Sequence, residues 1–213
     1  MDITFIGSGN MARGIGTRLA VPGNVLRILD RNPDKAKALA SDLSASGQAT
    51  VIAEQLAPEQ IDGEVVILAV PYRAIAEITE EYSERLNGRI VIDICIPVNY
   101  ETFDELVTPA DSSAAEEIAR KLPGARVVKA FNTVFSPTLR TGSVGGEKLD
   151  IFIAGDDSAA NDIVSELVTE GGMRPIVTGP LRRARQLEAM GFLHMVIQKP
   201  LHKEFGTALK VLS

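Results

Sequence analysis

The chain opens MDITFIGSGNMARGIG (residues 1–16), and how this stretch is read decides the fold. The apolar run ITFI (3–6) has the composition of a short buried strand. The small residues Gly7, Gly9 and Ala12 follow it with the spacing G-x-G-x-x-A. The segment MARGIGTRLAV (11–21) then places Met11, Ile15 and Leu19 on one helical face. Between a strand and a helix, this spacing is a dinucleotide-binding fingerprint, where elsewhere it is a plain tight turn. Gly7 permits the turn, Gly9 lets a pyrophosphate approach the backbone, and Ala12 lets the helix pack closely on the strand. The helix start supplies free N–H groups and a partial positive charge.

The rest of the chain alternates in the same way. Short apolar runs at 25–29, 49–53, 64–70, 89–94, 125–131, 149–155 and 174–179 read as strands. Segments of helical period fall between them at 32–43, 72–86, 112–122 and 158–172, with a last helix over 180–198. Asn32 and Pro33 form a helix start, and Ser113 with Glu116 has capping-box spacing. Strands alternating with helices give an α/β fold: a Rossmann-type, doubly wound, mainly parallel sheet. The expected division is a dinucleotide-binding domain over 1–148 and a short C-terminal α/β extension over 149–213, packed on it or merged with it. The irregular stretch 97–112 is the longest loop, a length that often carries function.

Composition narrows the function classes. The chain has 213 residues, which suits one domain with a small appendage. Its net charge of −6 provides no field that favours nucleic acid or an anionic membrane. Cys95 is the single cysteine, so no internal disulfide forms, as expected of a reducing cytoplasm. No apolar run approaches the ~18 residues needed to span a bilayer.

Several residues stand where chemistry belongs. Asp30 lies 21 residues after Gly9, where an acid binds both ribose hydroxyls and favours NAD. Arg31 argues the other way, since a guanidinium there binds a 2′-phosphate, and Lys35 adds charge one helical turn on. These residues leave NAD against NADP open. Val70 and Pro71 end the strand over 64–70 and would flank the nicotinamide ribose. Asn132 and Thr133 follow the strand over 125–131 and could hydrogen-bond a carboxamide or a ring carbonyl. They are the candidates for a catalytic role. His194, set between apolar residues, reads as a packed or dimer-face histidine. Lys129 reads as a strand lysine snorkelling to solvent rather than a proton donor, and Cys95 as a small buried thiol. Arg182, Arg183 and Arg185 crowd a helix start against its dipole and call for an offsetting anion, either a ligand or an ion-pair partner. Asp156 and Asp157 read as helix caps rather than a metal pair, and no metal-ligand spacing or nucleophile elbow is present.

The segments SAAEEIARKLPGARVVKAFNTV (113–134), IFIAGDD (151–157) and GPLRRARQLEAMGFL (179–193) are more specific than the glycine loop. With them, essentially the whole chain resembles the NADPH-dependent coenzyme F420 reductase family. That family in turn resembles the oxidoreductase domain of the six-transmembrane metalloreductases. The resemblance implies hydride transfer between NADP(H) and a flavin-like acceptor such as a deazaflavin, in a homo-oligomer such as a homodimer. It implies that Gly7, Ser8, Gly9, Asn10 and Met11 hold the pyrophosphate and that Arg31 and Lys35 meet the 2′-phosphate. Val70, Pro71, Ile96 and Pro97 would border the nicotinamide half, and Thr133 and Val134, beside Asn132, would face the acceptor. Two positions depart from the family pattern. Asp30 stands where a serine is common, which admits NAD, and Asn132 lies near where the deazaflavin enzymes have histidine. Three other functions share parts of the pattern: a flavin-assisted ferric reductase, a non-catalytic dinucleotide sensor, and a pyrroline-5-carboxylate reductase. The last has the same opening motif but continues into a long helical domain.

Overall fold

The structure, a computed structural model, describes residues 1–212. The first apolar run forms β1 (Asp2–Ile6), and α1 (Asn10–Leu19) follows the glycine loop. Then come β2 (Val25–Asp30), α2 (Pro33–Ser46), β3 (Thr50–Gln55) and β4 (Val65–Leu68). The chain continues through α3 (Ile75–Glu81), α4 (Ser83–Leu86), β5 (Ile90–Asp93), α5 (Ala114–Lys121), β6 (Arg126–Lys129) and α6 (Ser136–Thr141). A small hairpin, β7 (Ser143–Val144) and β8 (Glu147–Lys148), precedes β9 (Asp150–Gly155), α7 (Ser158–Glu170), β10 (Arg174–Gly179) and α8 (Ala184–Val196).

Eight strands form one sheet in the order β10-β9-β6-β5-β4-β1-β2-β3. Every neighbouring pair is parallel except β6 with β9. The chain winds outward from β1 through β2 to β3, then crosses back to β4 on the other side of β1. That reversal leaves a crevice beyond the carboxyl ends of β1 and β4, where open α/β sheets bind ligands. Strand residues alternate between two cores. Ile3, Phe5, Ile28 and Ile67 pack under α1, α2 and α7; Ile6, Leu29, Val66 and Leu68 pack under α3 and α5. β9 and β10 continue the same sheet, and Ile151 and Ile153 share the core of Ile3 and Phe5.

The helix starts follow the expected chemistry. The Asn32 side chain accepts from the N–H groups of Asp34 and Lys35, and Ser113 caps α5 through the N–H of Glu116. Asp157 accepts from the N–H of Ala160 at the start of α7. Three features differ from the periodicity. The helix expected over 72–86 is a 3-10 turn followed by α3 and α4, because Tyr82 leaves the helical region (φ −111°, ψ 15°) with its ring buried. Helix α6 is six residues long, too short to show a period. The hairpin is closed by Gly145 and Gly146 at φ 61° and 85°, a Gly-Gly turn signal plain in the sequence.

Lys129 does not snorkel. It is fully buried, since β6 is the third strand of eight, inside the sheet, and both its faces are covered. Its ammonium donates to Asp93 Oδ2 at 2.7 Å, to Glu188 Oε1 at 2.8 Å and to the Cys95 carbonyl at 2.5 Å. Glu188 also accepts from the N–H groups of Ala114 and Ala115, which open α5. Burial alone would favour a neutral amine; the Asp93 and Glu188 carboxylates outweigh it and hold the Lys129 pKa above its usual value. Burial raises the pKa of Glu188, with Asp93 beside it and Lys129 opposing.

The segment after α8 has no regular structure and is tied back by Asp150, which is 1% exposed. Its carboxylate accepts from Arg174, from Lys210 Nζ at 2.9 Å and from the Val211 N–H at 2.8 Å. Burial opposes the Asp150 charge, but these donors hold its pKa down to about 2.

Two outcomes are expected. Lys129→Met strands two buried carboxylates and should cost about 3–5 kcal/mol in chemical unfolding; a change below 1 kcal/mol would contradict the bridging role. The lowered pKa of Asp150 makes its contribution complete above about pH 4 and lost as pH falls towards 2, a span of roughly 2 kcal/mol. The stability gap between the wild type and Asp150→Asn should therefore close across that window, and a gap independent of pH would contradict the anchor.

Candidate functional site

The glycine loop sits where β1 meets the crevice. Gly7 has φ 103°, and a Cβ there would lie 2.4 Å from the Ala69 carbonyl oxygen, so both conformation and space require glycine. Gly9 caps α1 with extended backbone (φ −75°, ψ −171°), and a Cβ there would meet nothing within 4 Å. That open space lies directly in front of the first N–H groups of α1. Ser136 donates to the Asn10 carbonyl at 2.5 Å and fixes the loop from the far side.

Asp30, at the end of β2, points into this loop. Its Oδ2 accepts from the Ser8 N–H at 3.0 Å and the Ser8 hydroxyl at 2.6 Å; its Oδ1 accepts from the Asn32 N–H at 2.9 Å. Burial opposes ionisation, yet these bonds, with Lys35 nearby, hold the Asp30 pKa below its usual value. Both carboxylate oxygens thus serve the protein itself. Arg31 faces the other way and pairs with Glu77 Oε1 at 2.6 Å. Lys35 is exposed one turn into α2.

A cleft of about 470 Å³ runs from Gly9, Asn10 and Met11 towards the end of β6. One wall is Ala69, Val70, Pro71 and Tyr72; the deep wall is Ile94, Cys95 and Ile96. Asn132 and Val134 close its inner end, and Tyr100, Phe135, Met195 and Phe205 form an aromatic-rich mouth. The cleft therefore joins Gly9, Asn10, Met11, Val70, Pro71, Ile96, Asn132 and Val134, all singled out in the sequence. Gly7 and Ser8 lie next to it in the loop, and Asp30, Arg31 and Lys35 stand apart at the β2 end. Pro97 is buried beyond Ile96, where its carbonyl accepts from the Val107 N–H at 2.7 Å, and is not part of the wall.

Polar groups at the inner end are few and specific. Phe131 adopts a left-handed conformation (φ 63°) although fully buried, and this turns the chain sharply after β6. Asn132 follows, 3% exposed; its Nδ2 donates to the Leu187 carbonyl at 2.7 Å and its Oδ1 has no partner. Gly191 makes this approach possible, since a Cβ on it would lie 2.7 Å from the Asn132 carbonyl oxygen. The Thr133 hydroxyl is also buried without a partner. Two unpaired polar atoms on consecutive residues are unusual in a protein interior, and of the two residues Asn132 lines the cleft while Thr133 does not.

Neither His194 nor Cys95 offers an acid or base. The His194 ring stacks on Phe135 at 4.3 Å between centroids, and Nδ1 faces the Thr133 carbonyl at 3.1 Å, so Nδ1 carries the proton. Nε2 then accepts from Thr207 at 2.8 Å, and burial lowers the pKa. Burial raises the Cys95 pKa, and its thiol donates to the Val70 carbonyl at 3.2 Å. The arginine cluster lies outside the cleft. Arg185 makes a two-pronged pair with Glu116, at 2.8 and 2.7 Å, while Arg182 and Arg183 sit in a 3-10 turn ahead of α8. Among the described residues, no three His, Cys, Asp or Glu side chains could hold a metal ion, and no helix is long and apolar enough to cross a membrane.

Sequence reasoning missed Tyr72, Tyr100, Phe135, Met195 and Phe205. Tyr72 directly follows Pro71 and donates to Glu117 Oε2 at 2.5 Å, so the loop motif could have included it. Phe135 and Met195 look like ordinary core residues, and Tyr100 and Phe205 lie in irregular segments with no pattern to mark them.

The family described as "NADP oxidoreductase coenzyme F420-dependent" matches residues 2–97. An F420-dependent NADP reductase of Methanothermobacter marburgensis is 32% identical over 197 residues, covering 85% of each chain. The metalloreductase STEAP3 of Rattus norvegicus is 30% identical over 188 residues; the match takes in 88% of this chain and 36% of that one, so the chain spans about a third of its length. A crystal structure from Arthrobacter sp. FB24 superposes with a TM-score of 0.83 over 99% of both chains at 24% identity, which shows the shared fold. The chain belongs to the coenzyme F420-dependent NADP oxidoreductase family.

Proposed function

We propose that the cleft holds NADP(H) beside a flat, flavin-like acceptor, of which coenzyme F420 is the family's example, for hydride transfer between them. The unpaired Asn132 Oδ1 carries this reading. It is an acceptor without a partner, on a residue that lines an apolar cleft beginning at a phosphate loop, and a ligand carboxamide would supply the missing N–H. The open space before Gly9 fits a pyrophosphate in the same way. When bound, the nicotinamide supplies the hydride, and the protein supplies orientation and dryness.

Each group then has a task. Gly7 to Met11 receive the pyrophosphate through backbone N–H groups, and Arg31 with Lys35 meets the 2′-phosphate. Because the Asp30 carboxylate is already taken by Ser8 and Asn32, it braces the loop rather than gripping the ribose. Val70, Pro71 and Ile96, with Pro97 behind, border the nicotinamide half. Asn132 orients the ring amide, and Thr133 and Val134 turn towards the acceptor. Tyr100, Phe135 and Phe205 offer flat faces and exclude water from the transfer. Hydride passage between two rings needs no acid or base at the carbon that receives it, which fits a site where His194 and Cys95 are both engaged. The reading includes a homo-oligomer, because Tyr100, Leu193 and Leu201 are 67%, 61% and 51% exposed. A single reduced cysteine and an acidic composition support a cytoplasmic setting without nucleic acid or membrane partners.

Titration with NADPH and NADH, followed by a scan of deazaflavin, FMN, FAD and ferric chelate, tests this. Tight NADPH binding with deazaflavin reduction is expected. Flavin-dependent iron reduction would favour metalloreductase-like chemistry, and binding without turnover would indicate a sensor. Arg31→Ala should weaken NADPH roughly ten- to a hundredfold and spare NADH. Gly9→Val should abolish binding of both while the protein stays folded, since the added atoms point into open space; unchanged affinity would sink the phosphate-loop assignment.

A further inference from the structure

Strands β2 and β4 flank β1, whose end carries the glycine loop. Arg31 follows β2, and Glu77 lies in the first turn of α3, which follows β4. Their ion pair at 2.6 Å therefore spans the two lips of the crevice across the end of β1. Both side chains are more than half exposed, at 57% and 58%, so nothing in the core forces them together. The bond and charge of Glu77 hold the Arg31 guanidinium above its usual pKa, with Tyr82 and Glu81 contributing from the same side. An adenosine lying over the glycine loop towards β2 must pass this bridge.

We infer that Glu77 is a specificity-determining residue: its carboxylate occupies the guanidinium of Arg31 that a 2′-phosphate takes when NADP(H) binds. This rests on the proposed cofactor site. The Arg31 guanidinium already gives Nη2 to Glu77, so a 2′-phosphate that binds it must displace Glu77 or share Arg31 with it. The displaced carboxylate then stands near a phosphate of like charge, with Glu81 one turn away on the same helix. A 2′-hydroxyl carries no charge and makes no such demand. Glu77 thus weakens NADP(H) selectively and narrows the preference that Arg31 creates. It offsets the guanidinium while no dinucleotide is bound, and it keeps the adenosine end of the crevice bridged. Its position is invisible to the fingerprint motif, because it lies 46 residues from Arg31 on a different βα unit and within "IAEITEE", an unremarkable acidic helix face.

The test is a fluorescence titration of the full chain with NADPH and NADH, using wild type, Glu77→Gln, Arg31→Ala and the double variant. Glu77→Gln keeps the shape and removes the charge. It should tighten NADPH about two- to fivefold, the range of an exposed ion pair, and leave NADH unchanged. In the Arg31→Ala background the same substitution should tighten NADPH clearly less than it does in the wild type, because the competition for the guanidinium is gone; equal tightening in both backgrounds would overturn the inference. Equal tightening of both dinucleotides would mean a bridge that merely blocks entry and would overturn the inference, as would unchanged or weakened NADPH binding by Glu77→Gln. Wild-type protein that binds neither dinucleotide would overturn the cofactor site and this inference together, and is distinguishable because the failure precedes any substitution.

Discussion

One ammonium holds the carboxyl end of the sheet together. Lys129 Nζ, fully buried, bonds Asp93 at the end of β5, the Cys95 carbonyl just beyond it and Glu188 on α8. Glu188 in turn receives the first N–H groups of α5. Four elements thus share one charged network, at the level where the crevice opens. Two carboxylates face one cation, and the excess negative charge is met by the N–H groups of Cys95, Ala114 and Ala115. Such a network adds little stability over a well-packed apolar one, but it punishes displacement heavily. The deep wall Ile94–Ile96 and the turn bearing Asn132 both hang from it.

Above this network the crevice divides into a charged end and an apolar end. At the β2 end, adjacent residues of opposite charge face opposite ways. Asp30 turns to Ser8 in the glycine loop, and Arg31 reaches to Glu77 on α3. An acid at this position would ordinarily argue for a ribose diol; its own hydrogen bonds remove it from that role. The other end has almost no charge: Asn132, whose Oδ1 has no partner, shares the lining with Tyr100, Phe135 and Phe205. That arrangement suits flat, mostly neutral rings held face to face.

The alternation of strands and helices was legible because β1, β4 and β5 are buried on both faces, so that β4 reads as an unbroken apolar run and β1 and β5 nearly so. The phosphate loop was legible because Gly7 answers a steric demand that another residue cannot meet. Lys129 was misread, since a strand lysine is usually at an edge and its partners lie 36 and 59 residues away. The same distance hid Glu77 from Arg31 and Gly191 from Asn132. Contacts within one βα unit leave a pattern in the sequence; contacts between units do not. Phe205 came to the cleft through the tail pinned by Asp150, which no local pattern could announce.

The most direct measurement follows a label. NADPH carrying deuterium at the transferable position of C4 would be oxidised by the protein with deazaflavin in ordinary water, and the reduced acceptor analysed by mass. Transfer across the cleft requires one deuterium on the acceptor's reacting carbon for each NADPH oxidised, with the accompanying proton taken from water at a ring nitrogen. Deuterium released to solvent, or NADPH bound without any label reaching the acceptor, would contradict hydride transfer between two rings held in this cleft.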